Sequence, residues 1–184
     1  MIASAARPSA PPRGRAALRA VVAALAAAAS LGGCAYTTST AMLASHLKTV
    51  SIPVFENTTS EYQIERTITD AVIERFVADN HLRVVDERSA DLVVRGRVIS
   101  YKNAVFGFNT ATNAQEYRVT IGVAVVARDQ VKNRELWRLD DLVRTANYYV
   151  VDVPGAEASN EVGGRTAAIR KIADEVLART VEGW

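Results

Sequence analysis

The chain is poor in the residues that do chemistry at a site. Among 184 residues there is one cysteine, Cys34, and there are two histidines, His46 and His81. A single cysteine excludes a disulfide within the chain and any cluster of thiolate ligands, and the two histidines have no partners at metal-ligand spacing. No glycine-rich phosphate loop, serine-centred nucleophile elbow or His/Glu metal motif occurs. Carboxylates are plentiful, yet none is set in an obviously apolar pocket. Catalysis needs a site and not merely a fold, so the expectation is no catalytic residue, no metal, no cofactor and no enzyme activity.

A real excess of positive charge is also missing, although the sequence pI of 8.8 suggests one. The first 33 residues carry four arginines, Arg7, Arg13, Arg15 and Arg19, and no acidic residue. Without them, 18 of the 22 basic residues remain against 20 acidic ones. A nucleic-acid footprint needs Lys and Arg gathered on one face, and the balance predicts no nucleic-acid partner. Long apolar runs are scarce too. The run Ala20 to Leu31 is about half of the ~20 residues that cross a bilayer, so a permanent transmembrane helix is not expected there.

What is present begins with that leader. An arginine-bearing start, an alanine-rich apolar run and the tetrapeptide Leu31-Gly32-Gly33-Cys34 follow the order of an export signal. Small residues before a cysteine suit the narrow pocket of a lipoprotein signal peptidase. Cleavage between Gly33 and Cys34 is therefore predicted, with an S-diacylglyceryl and an N-acyl group on Cys34. A thioether-linked sulfur is also chemically closed, whereas a lone thiol in an oxidising compartment is a liability. Each buried CH₂ of an acyl chain contributes ~0.8 kcal/mol and one chain alone holds only marginally. Ala35, rather than aspartate, follows the cysteine, which favours the outer membrane by the sorting rule of that class. The organisation expected is a signal peptide over 1–33, a lipidated terminus and tether over 34–46 with a coil reach of roughly 20 Å, and a domain over 47–184. His46 reads as a solvated tether residue.

Within the domain, Leu47 to Phe55 is expected as a strand that alternates Val50, Ile52 and Val54 inward, lying at an edge or bulging at Pro53, which cannot donate. Ser60 with Gln63 matches a capping box for a helix with Ile64, Ile68, Ala71, Val72 and Phe76 inward, ending at Asp79 with Asn80 as cap. Leu82–Asp86 is a short strand. Asp91–Lys102 is a longer one, whose second face mixes Val93, Ile99 and Tyr101 with Arg95 and Arg97. Residues 103–114 have no charge and read as a hairpin loop with two exposed aromatics, Phe106 and Phe108, whose rings either fold back on the core or dock into a partner. Glu116–Arg128 looks like the central strand, and Glu135–Tyr149 returns with Trp137, Leu139 and Val143 inward and an interruption at Asp140-Asp141, a bulge or an edge. Residues 152–164 form a loop, and 165–182 a closing amphipathic helix. Trp184 either caps the core or meets the membrane. The order β-α-β-β-β-β-α implies an α/β (α+β) two-layer sandwich, with two helices packed on one face of a mixed, mostly antiparallel four- to five-stranded sheet.

These residues resemble a known family. The segment KTVSIPVFEN, the capped helix running into FVADNHLRVVDERSADLVVRGRV, the hairpin from ISY to QEYRVTI, the ELW strand and the last helix are together similar to the LPS-assembly lipoprotein (LptE) family. The resemblance covers nearly all of the chain after Cys34. It implies an outer-membrane lipoprotein facing the periplasm. Its partner would be a large β-barrel of the LptD type, as a heterodimer in which this protein is plug and assembly partner and supports lipopolysaccharide insertion. A chain of 151 residues has a radius of gyration of roughly 15 Å, so only a barrel at the large end of the known range could enclose it. Arg95, Arg97, Lys102, Phe106, Phe108 and Arg118 are the candidate contacts with barrel or lipopolysaccharide. The uncharged loops fit phosphate binding less well, because phosphate wants charge-assisted donors. The rival reading is a different envelope interaction module, one that activates a peptidoglycan synthase or supports a secretion pore.

Overall fold

A computed structural model describes residues 43–108, 114–151 and 153–182. The predicted cleavage and acylation positions Gly33 and Cys34, and Trp184, lie outside them. Two helices cover one face of a mixed sheet of six strands, the α+β arrangement that the pattern implied but with more strands than expected. The elements are β1 (Thr49–Ser51), β2 (Glu56–Asn57), α1 (Ile64–Asp79), β3 (Arg83–Val84), β4 (Leu92–Phe108), β5 (Ala114–Asp129), β6 (Arg134–Tyr149) and α2 (Glu161–Val181). Strand order is β3-β1-β4-β5-β6, and β2 also pairs with β4. The strands β1 and β3 are parallel, as a β-α-β unit requires, and β4, β5 and β6 form an antiparallel meander.

The extra strand comes from the first segment, which breaks in two. Pro53 has no N–H for a ladder, and the chain leaves the sheet between β1 and β2. Of the two alternatives the edge does not hold, since β1 lies between β3 and β4; the irregularity falls at Pro53, before which the short run has already ended. Alternation fails at the same place. Val54 is 64% exposed and Phe55 is buried in its stead. The Phe55 N–H donates to Thr69 Oγ1 at 3.0 Å, which turns the ring toward Gly96 under the sheet.

The capping box does not form. Helix α1 starts after Gln63, which sits at φ 59° with no side-chain cap bond. Asn57 organises the turn instead: its Oδ1 accepts from the Thr59 N–H at 2.9 Å and hydroxyl at 2.8 Å, and its Nδ2 donates to the Glu61 carbonyl. A local Asx turn thus outcompetes the helical cap. At the other end Asn80 takes φ 61° and its N–H returns to the Phe76 carbonyl, the expected left-handed stop. Ile64, Ile68, Val72 and Phe76 are fully buried. Each such side chain contributes about 1.5–3 kcal/mol by leaving water.

Three long strands form an arm, and bulges at Ile99 and at Asp140-Asp141 decide which side chains of its middle face the helices. Val98 pairs with Val123 and Ser100 with Gly122, leaving Ile99 as an extra residue; beyond it the β4 side chains exchange faces as far as Val105, where the register shifts again. On β6, Leu142 pairs with Val123 and Leu139 with Val125, so Asp140-Asp141 is the bulge the charge interruption predicted, on a strand that is also the sheet edge. The bulge turns Leu142 inward, and Val143, expected inside, is 39% exposed. The centre of β5 matches expectation, with Val119, Ile121, Val123 and Val125 buried.

Helix α2 begins four residues earlier than the sequence suggests. Asn160 Oδ1 accepts from the Gly163 N–H at 2.9 Å, an N-cap worth ~1 kcal/mol that offsets the low helix propensity of Gly163-Gly164. Gly164 is needed for contact, since a Cβ there would lie 3.0 Å from the Tyr148 ring. Glu175 and Arg179 form the expected i,i+4 pair at 2.7 Å.

A one-sided sheet and its two ends

Because both helices pack on one face, the other face of β4-β5-β6 carries the side chains that alternate away from them. Arg95 and Arg97 are there, each about half exposed and each already engaged: Arg95 contacts the Glu87 carboxylate, and Arg97 Nε lies 2.6 Å from Glu56 Oε2. Lys102 follows on the same face, exposed and paired in register with Thr120. Between these cations and a second charged row on β6, where Arg138 lies opposite Val126 and Asp140-Asp141 follow, runs the β5 track Gly122, Ala124, Val126. Gly122 is required there, because a Cβ would meet Ser100 Oγ at 2.4 Å. A low track between charged rows can seat a partner's side chains, while exposed ion pairs of this kind add little stability by themselves.

Two of the residues expected to be open on this face are not. Val93 shares the face of Arg95 but is buried. Tyr101 is carried to the helix side by the Ile99 bulge, where its hydroxyl donates to Glu161 Oε1 at 2.9 Å and the Arg165 guanidinium lies 5.2 Å from its ring centroid. Burial, and then the Glu161 bond, push the Tyr101 hydroxyl up to about 12. The same bond, together with Arg165, holds the Glu161 carboxyl below the usual range. Arg165 also reaches Glu61 at 2.8 Å, so this cluster ties the first turn of α2 to β4 and to the turn before α1. It is structural, and only Ile99 of the apolar trio stays exposed.

The far end of the arm departs from the sequence reading in a way that affects the candidate contacts. Residues 103–108 are not loop; they extend β4, and Phe108 pairs with Ala114. Main-chain pairing to β5 supplies what a loop would have lacked. Phe106 and Phe108 are 51% and 63% exposed, as expected of rings that have not folded onto the core. Arg118 lies 3.3 Å over the Phe106 ring centroid and donates from Nε to Asn147 Oδ1 at 2.8 Å. Asn147 in turn donates to Glu116, which also accepts from the Tyr149 hydroxyl at 2.9 Å. Glu116, Asn147 and Tyr149 were not singled out in the sequence. Only the β5–β6 register, with Arg118 opposite Asn147 and Glu116 opposite Tyr149, brings them together.

The near end is where the tether enters. His46 is not a solvated residue: its Nε2 lies 2.8 Å from Oδ2 of Asp129, whose side chain is 0% exposed. Asp129 also accepts from the Lys132 N–H at 2.9 Å. Burial alone would raise its pKa, but the Lys132 N–H, His46 and Arg134 outweigh it and hold the carboxyl below the usual range. Beside it, Asp91 accepts from the N–H groups of Lys48 and Thr49 and the Thr49 hydroxyl, with the Lys48 bond the main reason that its pKa is lowered. Leu43 and Ala44 pack against the core edge. Among the described residues, no three His, Cys, Asp or Glu are placed to hold a metal ion, and no helix is long and apolar enough to cross a membrane.

Comparison with known proteins gives the following. The family model described as LptE, lipopolysaccharide-assembly, matches residues 47–181. Among solved structures, the hypothetical protein CT253 from Chlamydia trachomatis aligns at a TM-score of 0.50 and 11% identity, over 72% of this chain and 95% of that one, and shows the fold. The PelC dodecamer from Paraburkholderia phytofirmans aligns at 0.48 and 14% identity, over 74% and 89%. Rare lipoprotein B from Shewanella oneidensis aligns at 0.41 and 16% identity, over 69% and 90%. No match is found among curated proteins.

Proposed function

The chain belongs to the lipopolysaccharide-assembly (LptE) family, and from this we propose that it is a lipid-anchored subunit of the outer-membrane lipopolysaccharide translocon, the plug and assembly partner of a large LptD-type β-barrel. In this reading Gly33-Cys34 is the cleavage point and the acyl groups on Cys34 hold the domain on the periplasmic side. The family is one of assembly and not of catalysis, so the work is done by surfaces.

The observation that carries the reading is the one-sided sheet. Sheets of this length normally bury one face and solvate the other, but here the far half of the bare face carries Phe106, 51% exposed against Arg118, and Phe108 is 63% exposed at the end of the same hairpin. Aromatics and arginine at an exposed patch are the composition of interface anchors. The arm there is three strands and one helix layer deep, about 10 Å by 20 Å before side chains, narrower than a sphere of the same mass. Barrels of ~22 strands already hold plugs. Capture of the native protein from detergent-solubilised outer membranes should bring down a very large barrel in stoichiometric amount. A peptidoglycan synthase or a secretion ring in its place would overturn the proposal in favour of the rival module.

Two substitutions grade the surface. Phe106→Ser with Phe108→Ser removes rings that support nothing in the core; the melting temperature should move by less than ~2 °C, while recovery of the barrel falls by roughly tenfold or more. Arg95→Ala with Arg97→Ala should weaken association with barrel or lipopolysaccharide by less, under about fivefold, because both cations are spoken for by Glu87 and Glu56. Unchanged recovery in the first case, or a larger loss in the second, would move the contact away from the hairpin end.

A further inference from the structure

We infer that the turn between β5 and β6, residues 130–133, is a tip that rests on an anionic lipid surface next to the anchor; this builds on the proposal that Cys34 is acylated. Three independent features meet at the turn. The first is position. The His46 contact pins the end of the tether to Asp129, the residue that opens the turn. Nine peptide units separate Cys34 from Leu43, so the two lie at most about 32 Å apart whatever path the chain takes. By contrast β4 leads away from this end for 17 residues, or about 50 Å, to Phe108. Of the two ends of the arm, this is the one an anchor at Cys34 can bring to a bilayer.

The second feature is an apolar side chain with no business at a polar turn. Val131 is 60% exposed at its apex. The turn needs no valine for its geometry: Asn133 supplies the positive φ, 50°, and the Asp129 carboxylate closes the turn on the Lys132 N–H. The third is charge. Arg128, Lys132 and Arg134 surround Val131 in sequence, and all three are exposed. The acids around them are largely spent: Asp129 is buried against His46 at 2.8 Å and reaches Arg134 only at 3.8 Å, Glu135 is held by Arg138 at 2.6 Å and Glu87 by Arg95. A valine at the centre of three cations is the pattern of an interfacial contact, in which the apolar group enters the headgroup boundary and the basic groups meet lipid phosphates. At ~1 kcal/mol each, a basic residue near an anionic surface is worth about fivefold in binding.

The consequence is orientation. With both the acyl chains and the turn on the bilayer, the arm cannot swing on its tether, and the Phe106/Phe108 end is held away from the lipid.

The test places a fluorophore at the tip. In acylated protein the Cys34 sulfur is a thioether, so Val131→Cys introduces the only free thiol for an environment-sensitive label. The labelled protein is reconstituted into phosphatidylethanolamine vesicles with and without phosphatidylglycerol, alongside a control labelled at Phe108→Cys. The label at 131 should brighten at least about threefold on the phosphatidylglycerol vesicles, lose that gain in high salt and lose it again with Lys132→Glu, while the label at 108 does not respond. A label at 131 that stays as water-exposed as the one at 108, or that responds equally without phosphatidylglycerol, would overturn the inference. Intact mass reports the anchor separately. Acylated protein without a tip response overturns this inference alone, and unacylated protein with one supports the tip contact while removing the anchor.

Discussion

Gly96→Ala should destabilise the domain by about 3 kcal/mol, a large share of the 5–15 kcal/mol that typically separates folded from unfolded protein. A Cβ at Gly96 would lie 2.1 Å from Phe55 Cε2 and 2.4 Å from its Cζ, and the ring is 2% exposed, so it has nowhere to yield within the core. Relief requires Phe55 to leave its site, giving back the ~2–3 kcal/mol of its burial. Chemical denaturation should show a lower midpoint with an unchanged slope. The cause is checked by a cycle with Phe55→Leu: the smaller side chain should lessen the cost of Gly96→Ala, giving a coupling of ~1 kcal/mol or more, whereas strictly additive losses would mean that the clash is not the mechanism.

Asp129→Asn is the second large effect, about 2–3 kcal/mol near neutral pH, because it removes the charge that holds His46 and Lys132 to a fully buried group. Its direction with pH follows from linkage. The folded-state pKa of Asp129, like that of Asp91, lies below the ordinary aspartate value near 3.9. The folded state therefore binds fewer protons than the unfolded chain in that range. The stabilisation is present in full above the unfolded pKa and is lost as pH falls through the folded one. Stability of the native sequence should decline below about pH 4.5, and Asp129→Asn should flatten part of that decline while lowering the plateau above it. Parallel acid limbs for the two proteins would show that Asp129 does not contribute. The same substitution should free residues 43–46, read as faster amide exchange there than in α2.

The strands that the sequence revealed best were those whose pairing is local. On β5 the alternation of Val119, Ile121, Val123 and Val125 survives intact, because a strand between two antiparallel neighbours must bury one period-two face. Asp140-Asp141 was visible for the same reason: two carboxylates in an apolar register have to be looped out. Where the reading failed, a long-range contact had overruled a local pattern. Ser60 and Gln63 have the right spacing for a cap, but Asn57 captures the turn first. Phe55 replaces Val54 in the core because Gly96, forty-one residues away, leaves a space for a ring. Tyr101 belongs to the outer face by parity and to the inner face by one inserted residue.

The candidate surface was half legible. Phe106 and Phe108 stand out as aromatics in an uncharged stretch, and Arg118 as a cation in a strand, but nothing in the sequence says that the cation lies over the ring. That follows from the offset of one strand against the next. Arg95 and Arg97 looked available and are not, since Glu87 and Glu56 come from segments that only the fold brings alongside them. His46 shows the reverse case, a bland residue whose partner is 83 positions away.

From the sequence alone came the two-layer architecture, set by periodicity and local turn chemistry, and the family, carried by the resemblance of its segments. Tertiary structure alone decided which side chains face outward and which end of the arm meets the tether. Both depend on strand pairing and, for the faces, on the bulges within it, and a shift of one residue exchanges the faces of a sheet without changing any local pattern.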